Sequence, residues 1–391
     1  MAGGNCPVCM RGESEEFLRL DAVPTLCNAA FGSEADALAA PRGDMSLCVC
    51  GQCGYVFNST FEQQHVGYDA QYDNALHFSP RYQAYAHELA SHLSSGFGPS
   101  RTHVVEVGCG DGYFLNLLCE TAHATGTGYD PSCRRPQGEA PAGRVRFVAD
   151  YFTGRHEGPA AELVCCRQVL EHVQQPQAFL AMLRPVLTAE RGRRPALFVE
   201  VPNAALIREG SACWDILYEH VSYFDATSLA GLARRAGFTP LETWESYGRQ
   251  FLCMLAIPTE DSISEAGIAD QSVVLWKAFA GEFDRQRRLW QQRLGEWRQS
   301  GARVAFWGAG TKGTMLLNLL EDSRQLVDCV VDISPRKRGK YVAGTGHSIV
   351  QPADLQDRQP DRVVVMNPIY VGEVRQSLGD LRLTSAVDAV Y

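Results

Sequence analysis

A short run near the middle of the chain concentrates side chains that can move protons. Tyr218, Glu219, His220 and Tyr223 fall within six positions, in a stretch too polar for a core strand and too aromatic for a solvated loop. An imidazole beside a carboxylate is a natural general base, because the negative charge raises its basicity into the working range. The run therefore predicts that His220 is a catalytic base, with Glu219 and Tyr218 as catalytic neighbours. Tyr223 is expected to contact the substrate, and a purely structural histidine is the alternative.

Earlier in the chain, three glycines at every second position separate an apolar run from the start of a helix. Gly108, Gly110 and Gly112 have no side chains to keep a ligand from the backbone, and the helix that follows offers free N–H groups. Glu106 precedes the glycines. Asp130 ends the next predicted strand, where an acid can accept both ribose hydroxyls of an adenosine. The spacing E-x-G-x-G-x-G differs from the G-x-G-x-x-G of dinucleotide sites and indicates another adenosine-containing ligand.

The elements that must position these groups alternate between strand and helix over residues 101–260. Such alternation predicts an α/β fold with a doubly wound parallel sheet, which binds its ligands at the carboxyl ends of the strands. Asp150, Gln168 and Asn203 each stand at or just past the end of a predicted strand. We therefore expect all three residues near a bound ligand, with Gln168 on the side of the adenosine-containing ligand and Asn203 on the substrate side.

A second glycine pattern follows a long amphipathic helix that is predicted over residues 272–299. Gly308, Gly310 and Gly313 match G-x-G-x-x-G, which taken alone indicates an NAD site. The remaining chain is short for a full dinucleotide domain, however, and Lys312 offers its charge to a phosphate. The pattern predicts a Rossmann-like α/β domain and leaves its ligand open.

Two C-x-x-C pairs stand near the start of the chain. Cys6 and Cys9 form the first pair, and Cys50 and Cys53 form the second. Each pair predicts a tight knuckle that presents two thiolates, and two knuckles close a four-thiolate shell around a structural Zn²⁺. A module this small has little core of its own, so the metal would hold it together. Cys48 is a spare thiol, and a redox-active pair is the alternative.

Together, these patterns resemble one enzyme family over essentially the whole chain. The Cys₄ module, the E-x-G-x-G-x-G core, the run 218–224 and the glycine-rich tail occur together in deoxysugar C-methyltransferases. These enzymes use S-adenosylmethionine (SAM) to methylate nucleotide-linked ketosugars. One departure precedes the histidine: the commoner motif has a tyrosine where this chain has Leu217, and here Tyr218 directly precedes Glu219. The accepted sugar is therefore expected to differ from the better-known ones.

The resemblance implies a role for each matching residue. The three alternating glycines line the methionine and ribose of SAM, Asp130 holds the ribose, and Asp150 lies near the adenine. His220 removes a proton beside the ketone to give an enolate, and Glu219 contacts the sugar. The tail helps to bind the nucleotide end of the substrate. The resemblance also implies that Tyr72 belongs to the catalytic site and that Tyr247 lies in a turn against the substrate. Lys312 is expected to bind substrate through its charge. Methylation of another small metabolite at carbon or oxygen, ligand binding without catalysis, and NAD chemistry in the tail are the alternatives.

Composition and charge bound the remaining possibilities. The 391 residues carry a formal net charge of −9 and no basic tract, which argues against nucleic acid as a partner. No apolar run reaches the roughly 18 residues of a membrane span, and no signal peptide is evident, so a cytoplasmic protein without membrane contact is expected. The length predicts two or three domains, assigned as a zinc module 1–65, a SAM-binding domain 66–260 and a C-terminal domain 261–391. A monomer or a homodimer acting on a small molecule fits this plan.

Overall fold

The computed structural model of the protein describes most of the chain. The residues that it describes are 5–11, 13–67, 75–96, 102–133, 138–139, 144–156, 158–187, 195–259 and 270–390. Three larger sheets and one long helix organise these residues. The predicted site residue Tyr72 lies outside them.

An eight-stranded sheet forms the centre of the molecule. In spatial order its strands are Phe238–Ser246, Phe251–Pro258, Ala196–Pro202, Leu163–Arg167, His103–Val107, Thr125–Tyr129, Val145–Val148 and Gly138–Glu139. The five strands from Ala196–Pro202 to Val145–Val148 run parallel, and antiparallel strands complete both edges. Parallel strands are covered on both faces, which explains why their sequences are nearly continuous apolar runs. The predicted doubly wound α/β sheet is confirmed.

Several helices precede or follow the strands of this sheet along the chain. They are Pro80–Ser95, Tyr113–Thr121, Pro176–Leu183, Ala204–Glu209 and Ala226–Arg235. The helix Tyr113–Thr121 begins directly after Gly112, as predicted, and buries Phe114, Leu115 and Leu118 against the sheet. This packing fixes the glycine turn at the carboxyl edge of the strands, where ligands of such sheets bind.

The N-terminal part of the chain forms a four-stranded antiparallel sheet. Its strands, in spatial order, are Ser14–Pro24, Arg42–Cys50, Val56–Asn58 and Ser222–Tyr223. The last strand comes from the run that carries His220, and its Ser222 pairs with Phe57. The sheet therefore crosses the boundary that was predicted at residue 65. A short helix, Glu34–Leu38, lies in the same region.

The C-terminal part of the chain forms a five-stranded parallel sheet. In spatial order its strands are Ile349–Val350, Cys329–Val331, Val304–Trp307, Arg362–Val365 and Ala386–Ala389. Its helices are Thr311–Leu319, Ser323–Leu326, Leu355–Arg358 and Val371–Asp380. A separate antiparallel pair joins Tyr341–Val342 to Ala30–Phe31, so the tail is bonded directly to the N-terminal part.

One long helix, Asp270–Gln299, joins these parts. Its buried side chains include Trp276, Phe279, Phe283 and Trp290, which belong to a core shared with the N-terminal sheet and the tail. Leu275 is 39% exposed while its neighbour Trp276 is buried, so the apolar face of the helix includes Trp276 and not Leu275. In the part of the chain that is described, no helix combines the length and apolarity needed to span a bilayer.

Single helical turns fill several connections. They are Gln63–His65, Leu170–His172, Arg184–Val186, Cys213–Asp215, Pro335–Lys337, Pro352–Asp354 and Pro368–Tyr370. Leu170–His172 follows the strand Leu163–Arg167 and places two ligand-type side chains beside the central sheet. Pro335–Lys337 lies in the tail and faces the glycine turn of the central domain.

Candidate functional site

The first glycine turn is held by backbone conformations that favour glycine. Gly108, Gly110 and Gly112 have φ angles of +79°, +55° and +76°. A Cβ atom at Gly108 would meet a Val169 methyl at 2.1 Å, and one at Gly112 would meet the Phe147 ring at 2.2 Å. A Cβ atom at Gly110 would meet nothing within 4 Å. Two of these glycines therefore serve close packing, and Gly110 borders open space.

The acid at the end of the second strand is joined to this turn. The backbone N–H of Gly110 donates to Oδ2 of Asp130 over 2.8 Å. Oδ1 of Asp130 accepts from the Ser132 backbone over 2.7 Å and from its hydroxyl over 2.6 Å. These bonds orient the carboxylate at the edge of the cavity, and Oδ2 keeps acceptor capacity for a ligand hydroxyl.

A cavity of about 540 Å³ opens above the turn. Of the predicted cofactor residues, those that line it are Glu106, Gly108, Gly110, Asp130 and Gln168. Gly112 is outside the lining because it packs against Phe147. Asp150 is exposed and also outside the lining, and its carboxylate accepts from the backbone of Tyr151 instead. Tyr151 and Phe152 take the wall where Asp150 was expected.

Glu106 gives this cavity a buried acid. The residue is 2% exposed, and burial raises the pKa of its carboxyl to about 7, although nearby Arg167 opposes the shift. No described residue hydrogen-bonds to its Oε2 atom. A buried carboxylate oxygen without a partner favours a cationic ligand group, and the ammonium of the methionine end of SAM is such a group. The donor set of the cavity therefore fits SAM.

A buried ion pair forms the floor between the central strands. Nη2 of Arg167 donates to Oε1 of Glu200 over 3.0 Å and to the hydroxyl of Tyr82 over 3.3 Å. The hydroxyl of Tyr85 also donates to Glu200. Sequence reasoning did not select Arg167, although a charged residue that ends the apolar strand Leu163–Arg167 was an available signal. The charge of Arg167 is balanced by the buried carboxylate of Glu200. We therefore expect Arg167 to stabilise the wall of the cavity and not to bind an anionic ligand.

A second cavity, of about 520 Å³, adjoins the first. Gln168 and His172 line both cavities. The predicted substrate-side residues that line the second cavity are Asn203, His220, Tyr247 and Lys312. The second cavity thus brings side chains of the central domain together with a lysine from the tail.

His220 lines the second cavity as a neutral imidazole, next to His172. It is 9% exposed, and its Nδ1 atom has no hydrogen-bond partner among the described residues. The His172 ring crosses it nearly perpendicularly at 5.0 Å between centroids. Burial, with smaller effects from His172 and Lys312, lowers the pKa of His220 well below its ordinary value. A neutral ring with an unengaged nitrogen can accept a proton at neutral pH.

The predicted tuning of His220 by its neighbour is wrong. The Glu219 carboxylate is fully buried, lines neither cavity, and accepts from the Cys27 backbone over 3.0 Å. Its own backbone carbonyl accepts from Nδ1 of His172 over 2.9 Å. Because the carboxylate faces the N-terminal sheet, it does not raise the basicity of His220, whose pKa is lowered. Glu219 instead fixes the proton of His172 on Nδ1.

The two tyrosines of the same run also face away from the cavities. The hydroxyl of Tyr218 accepts from the Glu62 backbone over 3.0 Å, and its ring packs on Phe61. The hydroxyl of Tyr223 bonds to the backbone of Leu217 in both directions, over 2.9 and 3.0 Å. The hydroxyl of Tyr218 is thus bonded to the N-terminal part of the chain and that of Tyr223 to the backbone just before the run. Neither residue lines a cavity, so the expected direct contacts of Tyr218 and Tyr223 with substrate are not formed at this geometry.

Asn203 and Tyr247 do reach the second cavity. Asn203 also caps the helix Ala204–Glu209, because its Oδ1 accepts from the Ala205 backbone over 3.1 Å. Tyr247 lies at a turn with φ of +50°, and its hydroxyl is 2.6 Å from that of Tyr370 in the tail. Both side chains therefore line the cavity and also form hydrogen bonds within the protein that hold them in place.

The tail contributes its own glycine turn to the second cavity. Gly308, Gly310, Lys312 and Gly313 all line it. A Cβ atom at Gly313 would meet the backbone oxygen of Gly308 at 2.1 Å, so the turn requires glycine there. The ammonium of Lys312 forms an ion pair with Asp215 of the central domain. This turn therefore opens onto the cavity that contains His220, and not onto a separate site.

The four cysteines of the N-terminal pairs converge. The Sγ atoms of Cys6 and Cys53 are 3.7 Å apart, those of Cys9 and Cys50 are 3.6 Å apart, and all four lie within 4.8 Å of one another. Backbone N–H groups point at these sulfurs, as in the 3.3 Å contact from Gln52 to Cys50. Such a set can hold one tetrahedral metal ion and leaves no open position. Cys48 bonds to a serine hydroxyl instead.

A second cluster of ligand-type groups lies at the junction of the cavities. Glu171, His172 and His220 have ligand atoms within 4.8 Å of one another. Burial raises the pKa of Glu171, and the Oε2 atom of Glu171 has no partner within the described part of the chain. This trio can exchange protons, and it also has the donor types of a divalent-cation site. Metal analysis separates the two uses.

Comparisons with known proteins match most of the chain. A methyltransferase-domain family model matches residues 78–243, and a model described as the C-methyltransferase C-terminal domain matches residues 262–386. A curated relative, the C-methyltransferase NovU of Streptomyces niveus, is 26% identical over 291 residues, covering 69% of this chain and 67% of the relative.

Two solved structures are similar over about half of the chain. One is a 1,6-didemethyltoxoflavin-N1-methyltransferase of Burkholderia thailandensis with S-adenosylhomocysteine (SAH), 19% identical, covering 53% of this chain and 96% of that one at a TM-score of 0.35. The other is the magnesium protoporphyrin IX methyltransferase of Synechocystis with SAH, 16% identical, covering 46% and 84% at a TM-score of 0.35. Because both TM-scores are low, the likeness to methyltransferases rests on the two family models and not on these structures.

Proposed function

The chain belongs to the SAM-dependent methyltransferases, and from that premise we propose that it methylates a carbon atom of a nucleotide-linked ketosugar. One observation carries the proposal. His220, a neutral imidazole whose buried Nδ1 atom has no partner among the described residues, lines the cavity that reaches the tail. Its ring packs on that of His172, which lines this cavity and the cavity above the first glycine turn. A base between a methyl donor and a substrate is the arrangement that methylation of a carbon acid requires.

The chemistry divides between the cofactor and the chain. Bound SAM would supply a methyl group made electrophilic by its sulfonium. His220 takes the proton from the carbon beside the ketone, which leaves an enolate on the sugar. With SAM bound, that carbon would accept the methyl group, and SAH would be the leaving group. Because His220 is neutral at neutral pH, it is in the protonation state that a base needs. Asp130, oriented by the backbone N–H of Gly110, would hold the ribose of the cofactor.

The tail is proposed to bind the nucleotide end of the sugar. Its glycine turn and Lys312 line the His220 cavity, so a diphosphate there would leave the sugar pointing at the base. Lysine and backbone N–H groups at such a turn suit phosphate oxygens. The family model that matches the tail and the likeness to NovU support a C-methyltransferase role for this part rather than NAD chemistry.

The remaining assignments are proposals of the same kind. We propose that Cys6, Cys9, Cys50 and Cys53 hold a structural Zn²⁺. The domains are proposed as residues 1–65, 66–260 and 261–391. The strand Ser222–Tyr223 belongs to the second domain in sequence but pairs with the sheet of the first. A small-molecule substrate and a monomer or homodimer in the cytoplasm complete the proposal.

The decisive experiment offers the purified protein SAM and a panel of dTDP- and UDP-linked ketosugars. The expected product gains one methyl group on carbon, identified by mass and NMR, together with SAH. In D₂O with SAH in place of SAM, the wild type is expected to exchange the proton beside the ketone. His220→Gln should slow both reactions by about 10²–10⁴ while SAM binding is kept.

Three outcomes would contradict parts of the proposal. Unchanged exchange in His220→Gln would remove His220 as the base. A methyl group on oxygen would replace C-methylation by the alternative of O-methylation. Methylation of none of the sugars by a protein that binds SAM would show that the substrate class is wrong, and tight binding of NADH would then return attention to the second glycine turn.

A further inference from the structure

One loop of the tail touches both cavities with adjacent residues. Arg336 lines the cavity above the first glycine turn, and Lys337 lines the cavity that contains His220. Both residues lie in the turn Pro335–Lys337. A segment of the proposed substrate-binding part therefore forms part of the wall of the cofactor cavity.

Arg336 reaches the first glycine turn itself. Its Nη2 atom is 3.1 Å from Oδ2 of Asp111, the residue between Gly110 and Gly112. Its guanidinium also lies 5.6 Å from the centre of the Phe78 ring. His77 comes within 3.7 Å of the same Asp111 oxygen. Three segments distant in sequence thus meet at the edge of the cofactor cavity.

Lys337 ties the same loop to the second glycine turn. Its ammonium donates to the Ala309 backbone oxygen over 3.0 Å and lies 3.6 Å from Oδ2 of Asp332. The loop is braced further, since the Ser334 backbone donates to Asp332 over 2.8 Å. A ligand that orders this glycine turn would therefore also order the position of Arg336.

The charges of the cofactor cavity give Arg336 a specific task. The acids that line the cavity are Glu106, Asp111 and Asp130, and its arginines in the described part of the chain are Arg167 and Arg336. Arg167 is buried against Glu200. SAM carries one anionic group, the carboxylate of its methionine part. Arg336, 34% exposed at the cavity edge, is the guanidinium placed to receive it.

We propose that Arg336 is a cofactor-binding residue contributed by the tail, which holds the carboxylate of SAM and couples cofactor retention to occupancy of the second glycine turn. The coupling part rests on the proposed function, because it takes a nucleoside diphosphate as the ligand of that turn. Linkage makes the effect reciprocal: each ligand tightens the binding of the other by the same factor.

The contact is tested with two ligands that differ in the carboxylate. SAH keeps the amino-acid part, whereas 5′-methylthioadenosine lacks it. Arg336→Ala is expected to weaken SAH binding about tenfold and to leave methylthioadenosine binding unchanged in calorimetry. The matched control is Arg338→Ala in the same loop, which is 66% exposed and paired with Asp354. Equal SAH affinity in Arg336→Ala and wild type would overturn the contact, as would an equal loss for both ligands.

A second variant tests whether Arg336 binds the ligand itself or only forms an ion pair with Asp111 that closes the cavity. Asp111→Asn removes the anionic partner of Arg336 but leaves the guanidinium in place. If Arg336 binds the carboxylate, Asp111→Asn should retain or tighten SAH binding, because the guanidinium loses a competing partner. If the Arg336–Asp111 pair only closes the cavity, Asp111→Asn should reproduce the loss seen in Arg336→Ala, and the proposed contact would be wrong.

The coupling is tested with dTDP as the probe of the tail. Saturating dTDP is expected to slow dissociation of SAM from the wild type several-fold and to have no such effect in Arg336→Ala, while dTDP alone binds both equally. Persistence of the effect in Arg336→Ala would overturn the coupling. Failure of dTDP and UDP to bind would overturn both the proposed nucleotide binding by the tail and the coupling. The contact between Arg336 and the SAM carboxylate would still be tested independently by the comparison of SAH with methylthioadenosine.

Discussion

The backbone N–H of Gly110 donates a 2.8 Å hydrogen bond to the carboxylate of Asp130, although the two residues lie on different strand–helix units. This bond fixes the distance between the glycine turn and the end of the next strand. It also means that Asp130 is oriented before any ligand arrives, which lowers the entropy cost of binding. The affinity for an adenosine ligand should therefore depend strongly on this one carboxylate.

Asp130→Ala is predicted to weaken SAM binding by about tenfold to a hundredfold, because charge-assisted bonds to the ribose hydroxyls are lost. Asp150→Ala is the matched control and should bind SAM like the wild type, since Asp150 is exposed and outside the cavity. Calorimetry on both variants checks the prediction. Equal affinity of Asp130→Ala and Asp150→Ala would contradict the proposed ribose site.

The affinity for SAM should depend on pH through Glu106. The pKa of this carboxyl is raised to about 7, so it is mostly protonated below that pH and mostly ionised above it. SAM is cationic at its ammonium and its sulfonium, so it binds more tightly when the Glu106 carboxyl is ionised. SAM affinity is predicted to rise with pH through this range, by up to about tenfold per unit.

Glu106→Gln isolates this effect from the titration of SAM itself. Calorimetry in buffers of different ionisation enthalpy should detect proton release on SAM binding to the wild type near pH 7 and less release in the variant. The same pH dependence in wild type and Glu106→Gln would mean that another group titrates.

Two neighbouring glycines are predicted to fail differently when replaced by alanine. Gly112→Ala places a Cβ atom 2.2 Å from the Phe147 ring in a left-handed backbone, so we expect a loss of about 2–4 kcal/mol in unfolding free energy. Gly110→Ala meets nothing within 4 Å and should cost about 1–2 kcal/mol, yet it should weaken SAM binding because the methyl enters the cavity. Denaturation measures the stability of both variants, and calorimetry measures their affinity for SAM. A larger stability loss in Gly110→Ala, or weaker SAM binding in Gly112→Ala alone, would contradict the prediction.

Cys50→Ser is predicted to lose the bound zinc and to lower the melting temperature by roughly 6 °C or more, since a structural metal contributes several kcal/mol. Cys48→Ser should keep one zinc per chain, because Cys48 lies outside the four-sulfur cluster. Elemental analysis measures both. Two metal ions in the wild type, one of them lost on His172→Ala, would instead assign Glu171, His172 and His220 to a second metal site.

Tyr218→Phe is predicted to leave turnover unchanged and to reduce stability by about 1 kcal/mol, the net value of one hydrogen bond. The hydroxyl accepts from the Glu62 backbone and reaches neither cavity. Steady-state kinetics with the accepted sugar and denaturant unfolding check the two halves. A large fall in turnover at unchanged stability would restore the catalytic role that its neighbours in sequence suggested.

Residue spacing was enough to predict the parts of the fold that depend on local pattern. The strand, glycine turn and helix around Gly110, the strand that ends before Asp130, and the meeting of Cys6, Cys9, Cys50 and Cys53 all follow from short motifs. In each case the backbone conformation or the donor geometry is set by residues close together in the chain, so the sequence contains the needed information.

Side-chain direction in the run from Tyr218 to Tyr223 could not be predicted in the same way. Its residues have similar chemistry, but only His220 faces a cavity, because Ser222 and Tyr223 pair with the strand Val56–Asn58 and pull their neighbours toward the N-terminal sheet. That pairing joins segments about 165 positions apart. Arg167 and Glu200 meet because they are register partners on adjacent parallel strands of the central sheet, which is again a pairing of distant segments.

The fourth strand of the N-terminal sheet also restricts how relatives of this chain can recombine. A crossover placed after residue 65 would combine one parent's Val56–Asn58 with the other parent's Ser222–Tyr223. The mismatch would fall two residues from His220, so a chimera could fold both parental parts and still misplace the base. Exchanging residues 214–224 together with the N-terminal part would keep each sheet with its own strand, which makes that pair of segments the natural unit for engineering a new sugar preference.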